Sequence, residues 1–292
     1  MTPRVSAIVP VRNGEGHVRR CLAALLAQSW PAERLEIWVV DDASTDATRE
    51  RVQELPVRLL AQPERRGPYA ARNAALRVAT GDVLAFTDSD CAPAKDWVER
   101  GVAALAREGA DLAAGQVRFA LSPRRSAFEL LDSVSNLDHE RSVAGRGVAK
   151  TGNLFAARRV LDAIGPFRER RSGCDVEWTG RASAAGFALV YAPDAVVEKP
   201  ARGALALARK QYRVGRGQLA LWRDAGGRPR DLLPRIARGL RPGRPAVLRE
   251  RLRRRAPDGE RAGLLALWLA AWGISAVQSL GQLHELLSGR RA

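Results

Sequence analysis

Cysteine, histidine and lysine are all scarce in this chain. The cysteines, Cys21, Cys91 and Cys174, are odd in number and far apart. They form no C-x-x-C pair, which argues against a disulfide framework and for a reduced, cytosolic compartment. The histidines, His17, His139 and His284, show no H-E-x-x-H spacing, so the common zinc-hydrolase pattern is missing. Lysine occurs only at Lys95, Lys150, Lys199 and Lys210, and every other basic side chain is arginine. There is no Walker loop, and Gly14-Glu15-Gly16 lacks the third glycine of a dinucleotide fingerprint, because Arg19 stands there. No run made of apolar residues alone reaches the roughly 20 residues of a comfortable membrane span. The apolar stretch Val5–Val11 is too short for a signal peptide and runs into polar residues.

Charge of one sign is missing from the end of the chain. Residues 1–200 carry 28 basic and 26 acidic side chains, whereas residues 201–292 carry 20 and 6. A nearly neutral body with a basic tail implies that the tail meets something anionic, either lipid headgroups or nucleic acid. Arg228–Arg261 holds twelve arginines against four acids and no aromatic residue, so it lacks the stacking groups of a single-strand binder. Its Pro and Gly content predicts loop or irregular amphipathic structure. Ala262–Val277 follows, sixteen residues without a charge. It is expected to span the membrane with Gln278 and Ser279 at the far interface, or to lie in the membrane plane with Trp268 and Trp272 at the headgroups. A buried helix of a soluble domain has the same pattern.

The first 200 residues read as alternating strands and helices. Strands are predicted at Val5–Val11, Leu35–Val40, Val57–Ala61 and Asp82–Thr87. The helices between and after them are His17–Gln28, a segment capped by Ser44 or Thr45 that runs to Glu54, Tyr69–Ala79, and Pro93–Arg107 with proline in its first turn. This alternation predicts a parallel, doubly wound sheet. Further strands are predicted at Asp111–Phe119, Ala149–Ala156 and Ala188–Tyr191. Helices are predicted at Ser126–Glu140, Arg158–Ile164, Asp175–Ala185 and Gly203–Trp222.

Acidic residues stand at the predicted carboxyl ends of two strands, the edge where open α/β sheets bind ligands. Asp88-Ser89-Asp90 offers two carboxylates one residue apart, a pair suited to a hard divalent ion shared with phosphate oxygens and water. An ordinary Asp-rich turn contains the same residues. Asp41-Asp42 ends the second strand, where an acid commonly accepts hydrogen bonds from ribose or base, or caps the next helix.

Six stretches in order make the chain resemble a family 2 inverting glycosyltransferase. They are VSAIVPVRNGEGHVRRCLAALLAQSWP, EIWVVDDASTDAT, GPYAARNAALRVATGD, LAFTDSDCAP, KTGNLFAARRVLDAIGPF and DVEWTGRASAAGFALVYAPDAVV, and they cover about residues 4–200. The resemblance implies a GT-A-like, Rossmann-like, mostly parallel mixed sheet flanked by helices over residues 1–200. A basic helical or irregular segment would follow at 201–261, and an apolar membrane-associated helix at 262–288. It also implies a nucleotide-diphosphate sugar donor, Mg²⁺ or Mn²⁺, and transfer with inversion to a hydroxyl acceptor.

Carried onto this chain, Pro10 and Val11 line the nucleotide pocket, Asp42 contacts the base and Arg72 lies near the nucleotide. Asp88 and Asp90 are the D-x-D pair, with Asp90 the closer metal ligand. Thr151, Gly152 and Asn153 form the wall by donor sugar and acceptor, and Asp175 is the general base, with Glu177 as the alternative. The chain departs from the family pattern at Cys174, where an acid often precedes the base, and at Lys199, where a metal-ligating histidine often stands. Lys199 is expected to meet the diphosphate instead. Gln211-Tyr212-Arg213-Val214-Gly215 lacks the Q-x-x-R-W pattern of processive synthases. The expectation is a single-addition transferase at the cytoplasmic face of the cell membrane. It would use a lipid-linked or envelope glycan acceptor, an anionic membrane surface as partner, and no nucleic acid. A nucleic-acid binder using the arginine run, a nucleotidyltransferase, and a non-catalytic family member are the alternatives.

Overall fold

Val5–Val11 forms strand β1, and all seven of its side chains are buried. A strand covered on both faces has no solvent side, so its sequence runs apolar rather than alternating. In the computed structural model, which describes residues 2–170, 172–224, 226–256 and 263–288, β1 lies between β2 (Leu35–Asp41) and β4 (Val83–Thr87), parallel to both. Strand β3 (Arg58–Ala61) pairs in parallel outside β2. The remaining strands are β5 (Ala92–Pro93), β6 (Leu112–Ala120), β7 (Asn153–Ala157) and β8 (Leu189–Pro200). The full order is β3-β2-β1-β4-β7-β6-β8-β5. β7 runs antiparallel to β4 and β6, and β5 antiparallel to β8. The sheet is therefore mixed: a parallel half built by crossovers, then an antiparallel half.

The crossovers are short helices: α1 (Val18–Leu26), α2 (Thr48–Gln53), α3 (Pro68–Leu76) and α4 (Trp97–Arg107). Helix α1 buries Val18, Cys21, Leu22 and Leu25, the i, i+3, i+4, i+7 stripe that lays a helix on a sheet. The later helices of the sheet region are α6 (His139–Arg146), α7 (Arg158–Ile164) and α8 (Cys174–Ala184). Asn153 opens β7 and ties the antiparallel half together. It is fully buried, accepts from Trp97 Nε1 at 2.8 Å, and donates to the carbonyls of Gln116 and Ala195, each at 2.8 Å. Asn153→Ala would orphan three buried groups, at about 1–3 kcal/mol each before relaxation. We expect its thermal midpoint to fall by roughly 5–10 °C. An unchanged melting curve in scanning calorimetry would show that water replaces the amide.

Several elements differ from the pattern read along the chain. Pro93 lies in β5 rather than in a helix, and α4 begins at Trp97. The segment expected as one helix from Ser126 to Glu140 is two helices. The first, α5 (Ala127–Ser135), starts at a Ser126–Glu129 capping box. The break falls at Leu137, in the left-handed region at φ 48°, and Asp138 then caps α6. Neither Ser44 nor Thr45 caps α2, which begins at Thr48. The last strand is longer than expected, reaching Pro200. The arginine-rich stretch is largely helical, with α10 (Leu233–Gly239) and α11 (Pro245–Arg255), because proline at the start of a helix costs no hydrogen bond.

The chain divides into two compact units. One comprises Met1–Arg118, Leu137–Glu169 and Cys174–Lys199; the other comprises Phe119–Asn136, Arg170–Gly173 and Pro200–Ala292. The second unit is helical, built on α9 (Ala204–Asp224) and α12 (Leu264–Ser288). These two helices meet at glycines: a Cβ on Gly215 would lie 2.0 Å from the Gln278 carbonyl oxygen, and one on Gly281 would lie 2.3 Å from that of Tyr212. Helix α12 has 25 residues and is long and apolar enough to cross a membrane. Only 28% of its most apolar window is buried, where a soluble core helix would bury most of it. The expected start of this segment at Ala262, and residues 257–261 of the arginine run, lie outside the described residues.

Candidate active site

The carboxyl ends of β1, β2 and β4 share one edge of the first unit, and the loops leaving them are tied to one another. Asn13 Oδ1 accepts the Thr45 N–H at 2.9 Å, and Ser44 Oγ accepts the Asn13 N–H at 2.9 Å. Pro10 and Val11 end β1 and are buried beside Val40 and Asp41. Asp41 is committed to structure: its carboxylate accepts Arg49 Nε at 2.5 Å and the Ser44 N–H. Asp42 is 4% exposed and accepts the backbone N–H groups of Arg66 at 2.7 Å and Gly67 at 2.9 Å. Gly67 has φ 94°, a conformation glycine enters without strain, and from there the chain turns into α3.

Helix α3 delivers Tyr69 and Arg72. Arg72 is 3% exposed, donates Nη2 to Asp88 Oδ1 at 2.8 Å, and keeps an Nε with no partner among the described residues. Its guanidinium lies over the Tyr69 ring, 5.7 Å from the centroid. Lys199, at the end of β8, is the other cation. Its side chain is 1% exposed, and its Nζ contacts Asp90 and lies 3.1 Å from Asp88 Oδ2. A lysine is buried this deeply only when its charge is paired. Here two carboxylates and two cations balance one another.

Asp88, Asp90 and Cys91 form a group whose ligand atoms lie within 4.8 Å of one another. The fit to a hard dication rests on the carboxylates, whose side chains are 35% and 29% exposed and so leave room for phosphate oxygens and water. Cys91 contributes little. Burial pushes its thiol up to about 12, so it stays protonated at neutral pH, and sulfur is a poor ligand for Mg²⁺. A dication entering between the carboxylates meets the Lys199 ammonium there and must displace it.

Pairing of Thr87 with Asn153 brings the β7 entry against the acidic loop, and Thr87 Oγ1 donates to the Gly152 carbonyl at 3.2 Å. Next to it, Thr151 is 2% exposed and its N–H donates to Asp175 Oδ2 at 3.4 Å. Asp175 is the second residue of α8. Its Oδ1 accepts the Tyr69 hydroxyl at 3.0 Å, and burial, then the Asp175 charge, raises the Tyr69 pKa well above its ordinary value, so the phenol remains a donor. A continuous series of contacts thus runs from Asp175 through Tyr69 and Arg72 to Asp88, Lys199 and Asp90. Asn153 does not project into it, because its amide is spent on Trp97, Gln116 and Ala195. Glu177 is held by Arg181 at 2.8 Å and Arg168 at 3.3 Å. Tyr69 was not among the residues singled out in the sequence; its position in Gly67-Pro68-Tyr69, at the start of a helix beneath the acidic loop, was the available signal. His139, one of the few histidines, is structural: Nδ1 donates to the Gly115 carbonyl at 2.8 Å and Nε2 accepts the Lys150 N–H at 3.2 Å.

The sequence profile described as Glycosyl transferase family 2 matches residues 6–161. Glycosyltransferase AglE of Haloferax volcanii is 36% identical over 294 residues, spanning 98% of this chain and 97% of that protein. Beta-monoglucosyldiacylglycerol synthase of a Synechocystis species is 28% identical over 61% of this chain and 40% of its own length. Among solved structures, mannosyltransferase PcManGT from Pyrobaculum calidifontis, in complex with GDP-Man and Mn²⁺, superposes with a TM-score of 0.65 at 22% identity, covering all of this chain and 88% of that one. That likeness speaks for the fold, and the profile with the full-length relative speaks for the family. The chain belongs to glycosyl transferase family 2 and is a glycosyltransferase with a GT-A-like mixed sheet.

Proposed function

We propose that this glycosyltransferase moves a sugar from a nucleotide-diphosphate donor to a hydroxyl of a lipid-linked or envelope glycan, with inversion, at the cytoplasmic face of the cell membrane. The observation that carries this reading is the contact series from Asp175 to the Asp88–Asp90 pair. It places one carboxylate oriented by Tyr69 and Thr151 beside a separate cluster suited to a diphosphate. PcManGT binds GDP-Man and Mn²⁺, which supports a nucleotide-sugar donor and a divalent ion here. The synthase from Synechocystis is named for a diacylglycerol product, which supports a lipid acceptor. The apolar helix α12 and its basic flank support the membrane.

In this reading Pro10, Val11 and Asp42 border the nucleotide, and Arg72 and Lys199 turn from their carboxylates toward the diphosphate. Asp88 and Asp90 would hold Mg²⁺ or Mn²⁺, which when bound stabilises the diphosphate as a leaving group. Asp175 takes the proton of the acceptor hydroxyl as its oxygen attacks the anomeric carbon from the face opposite the diphosphate. The electron pair of the broken bond leaves on the diphosphate oxygen. Asp175 lies in the first turn of α8. Thr151 and Gly152 wall the space between base and donor.

Calorimetry with UDP, GDP, dTDP and CDP, each with and without Mn²⁺, tests this. The expected result is metal-dependent binding of one nucleotide. No binding to any of the four would sink the donor assignment.

A further inference from the structure

The second unit contains a cavity of about 940 Å³. That is the size of a site for a small amphiphile. Five arginines line it, Arg235, Arg238, Arg241, Arg244 and Arg251, and among the described residues no acidic side chain does. The first four recur every third residue, from α10 across the loop into the start of α11. None of those four forms an ion pair with a carboxylate among the described residues, although Arg235 lies over the Trp222 ring at 5.6 Å. The rest of the lining is mixed: Leu207, Leu232, Leu248 and Ile274 give it a buried apolar part, and Gln211, Gln278 and Ser279 are among its uncharged polar residues.

The loop carrying Arg241 and Arg244 is fastened to α12. Trp268 Nε1 donates to the Gly243 carbonyl at 2.6 Å, and Trp272 Nε1 donates to that of Leu240 at 2.8 Å. Charge-dense arginines are thus held in place beside the apolar part of the lining. The unit also exposes several apolar side chains. Leu240, Val247, Leu265, Leu269 and Trp272 are each more than a third exposed.

We propose that this cavity binds the phosphate head and the first chain segments of an anionic membrane lipid. Guanidinium forks match phosphate oxygens in pairs, and they do so more strongly out of bulk water. The apolar part of the lining takes aliphatic chain, and the exposed leucines and tryptophan rest in the interface from which such a lipid enters. Nucleic acid would satisfy the arginines but not the apolar part. The proposal concerns the second unit alone and is independent of the assignments of donor, metal and base.

The test uses the full chain in a nonionic detergent with water-soluble dioctanoyl phosphatidic acid as probe. Binding is followed by calorimetry and by the emission of Trp222 and Trp268, which line the cavity. Phosphatidic acid should bind at least about tenfold tighter than dioctanoyl phosphatidylcholine, inorganic phosphate or an oligothymidylate. The triple variant R238Q/R241Q/R244Q should lose that advantage. R209Q/R213Q/R249Q, which removes the same charge outside the cavity, should keep it. Equal loss in the two triple variants overturns the proposal, as does equal binding of phosphatidylcholine, phosphate or the oligonucleotide. R241Q and R244Q singly, on the loop, carry the test if the triple variant does not fold. Nucleotide binding measured on the same samples separates failure here from failure of the donor assignment.

Discussion

Asp175→Asn is expected to leave donor binding intact and to lower kcat by about 10²–10⁴-fold, the range a positioned general base contributes. The amide keeps the shape, and its single oxygen can still accept from Tyr69 or from Thr151 but not from both, and it cannot take a proton. In the proposed reading donor affinity rests on Asp88, Asp90, Arg72 and Lys199, whereas the hydrogen bonds described for Asp175 go to Tyr69 and Thr151. Calorimetric donor affinity and steady-state kcat, measured on one preparation, separate the two effects. Tyr69→Phe removes the hydroxyl that orients Asp175 and should give a smaller loss of kcat at the same donor affinity. Glu177→Gln is the control. Glu177 is clamped by Arg168 and Arg181, so its loss should lower thermal stability and leave kcat nearly unchanged. A kcat for Asp175→Asn within a few-fold of the parent would remove Asp175 from the base role, and a collapse in Glu177→Gln with a native melting curve would move the role there.

The second large effect is expected at Asp90. Asp90→Ala should reduce nucleotide affinity in Mn²⁺ to the level seen without metal. The loss should exceed the 10–100-fold typical of an outer-sphere partner, because a direct ligand is removed. Asp88 alone cannot replace the pair, since it is shared with Arg72 at 2.8 Å and Lys199 at 3.1 Å. Lys199→Met should act in the opposite direction on free metal. Without the ammonium, only Arg72, on Asp88, still compensates the two carboxylates, and a dication no longer has to displace Lys199 from Asp90, so Mn²⁺ binding in the absence of nucleotide should tighten. Manganese binding followed by electron paramagnetic resonance reads this without any turnover. If nucleotide binding is the same with and without metal in the parent and in Asp90→Ala, the two carboxylates serve as counter-ions for Lys199, and the ammonium, not a metal, faces the diphosphate.

The parallel half of the sheet was legible along the chain because each of its strands is short, mostly apolar and bounded by turn residues, as in Val5–Val11 and Val83–Thr87. The acidic loops were legible because they sit where those strands end. Local sequence was weaker where a short-range signal competed with packing. Pro93 looks like the first turn of a helix, yet it pairs with Val197 in a two-residue strand. Ser126–Glu140 has one helical period throughout, yet Leu137 takes a positive φ and splits it. The arginine run looked irregular from its composition, but its leucines at Leu248 and Leu252 find an apolar cluster to pack on and become helical.

By itself, the sequence determined the fold class, the family and the residue types at the strand ends, because all three follow from periodicity and from motifs a few residues long. Only the tertiary structure decided which partners those residues meet. It brought Lys199 between Asp88 and Asp90, more than a hundred positions away in the chain. It set Tyr69 on Asp175, withdrew Asn153 into the sheet, and tied Glu177 to two arginines. It also gathered the arginines of α10 and α11 around one cavity. Burial and ion pairing depend on distances between segments that are remote in sequence, and no local pattern encodes those distances.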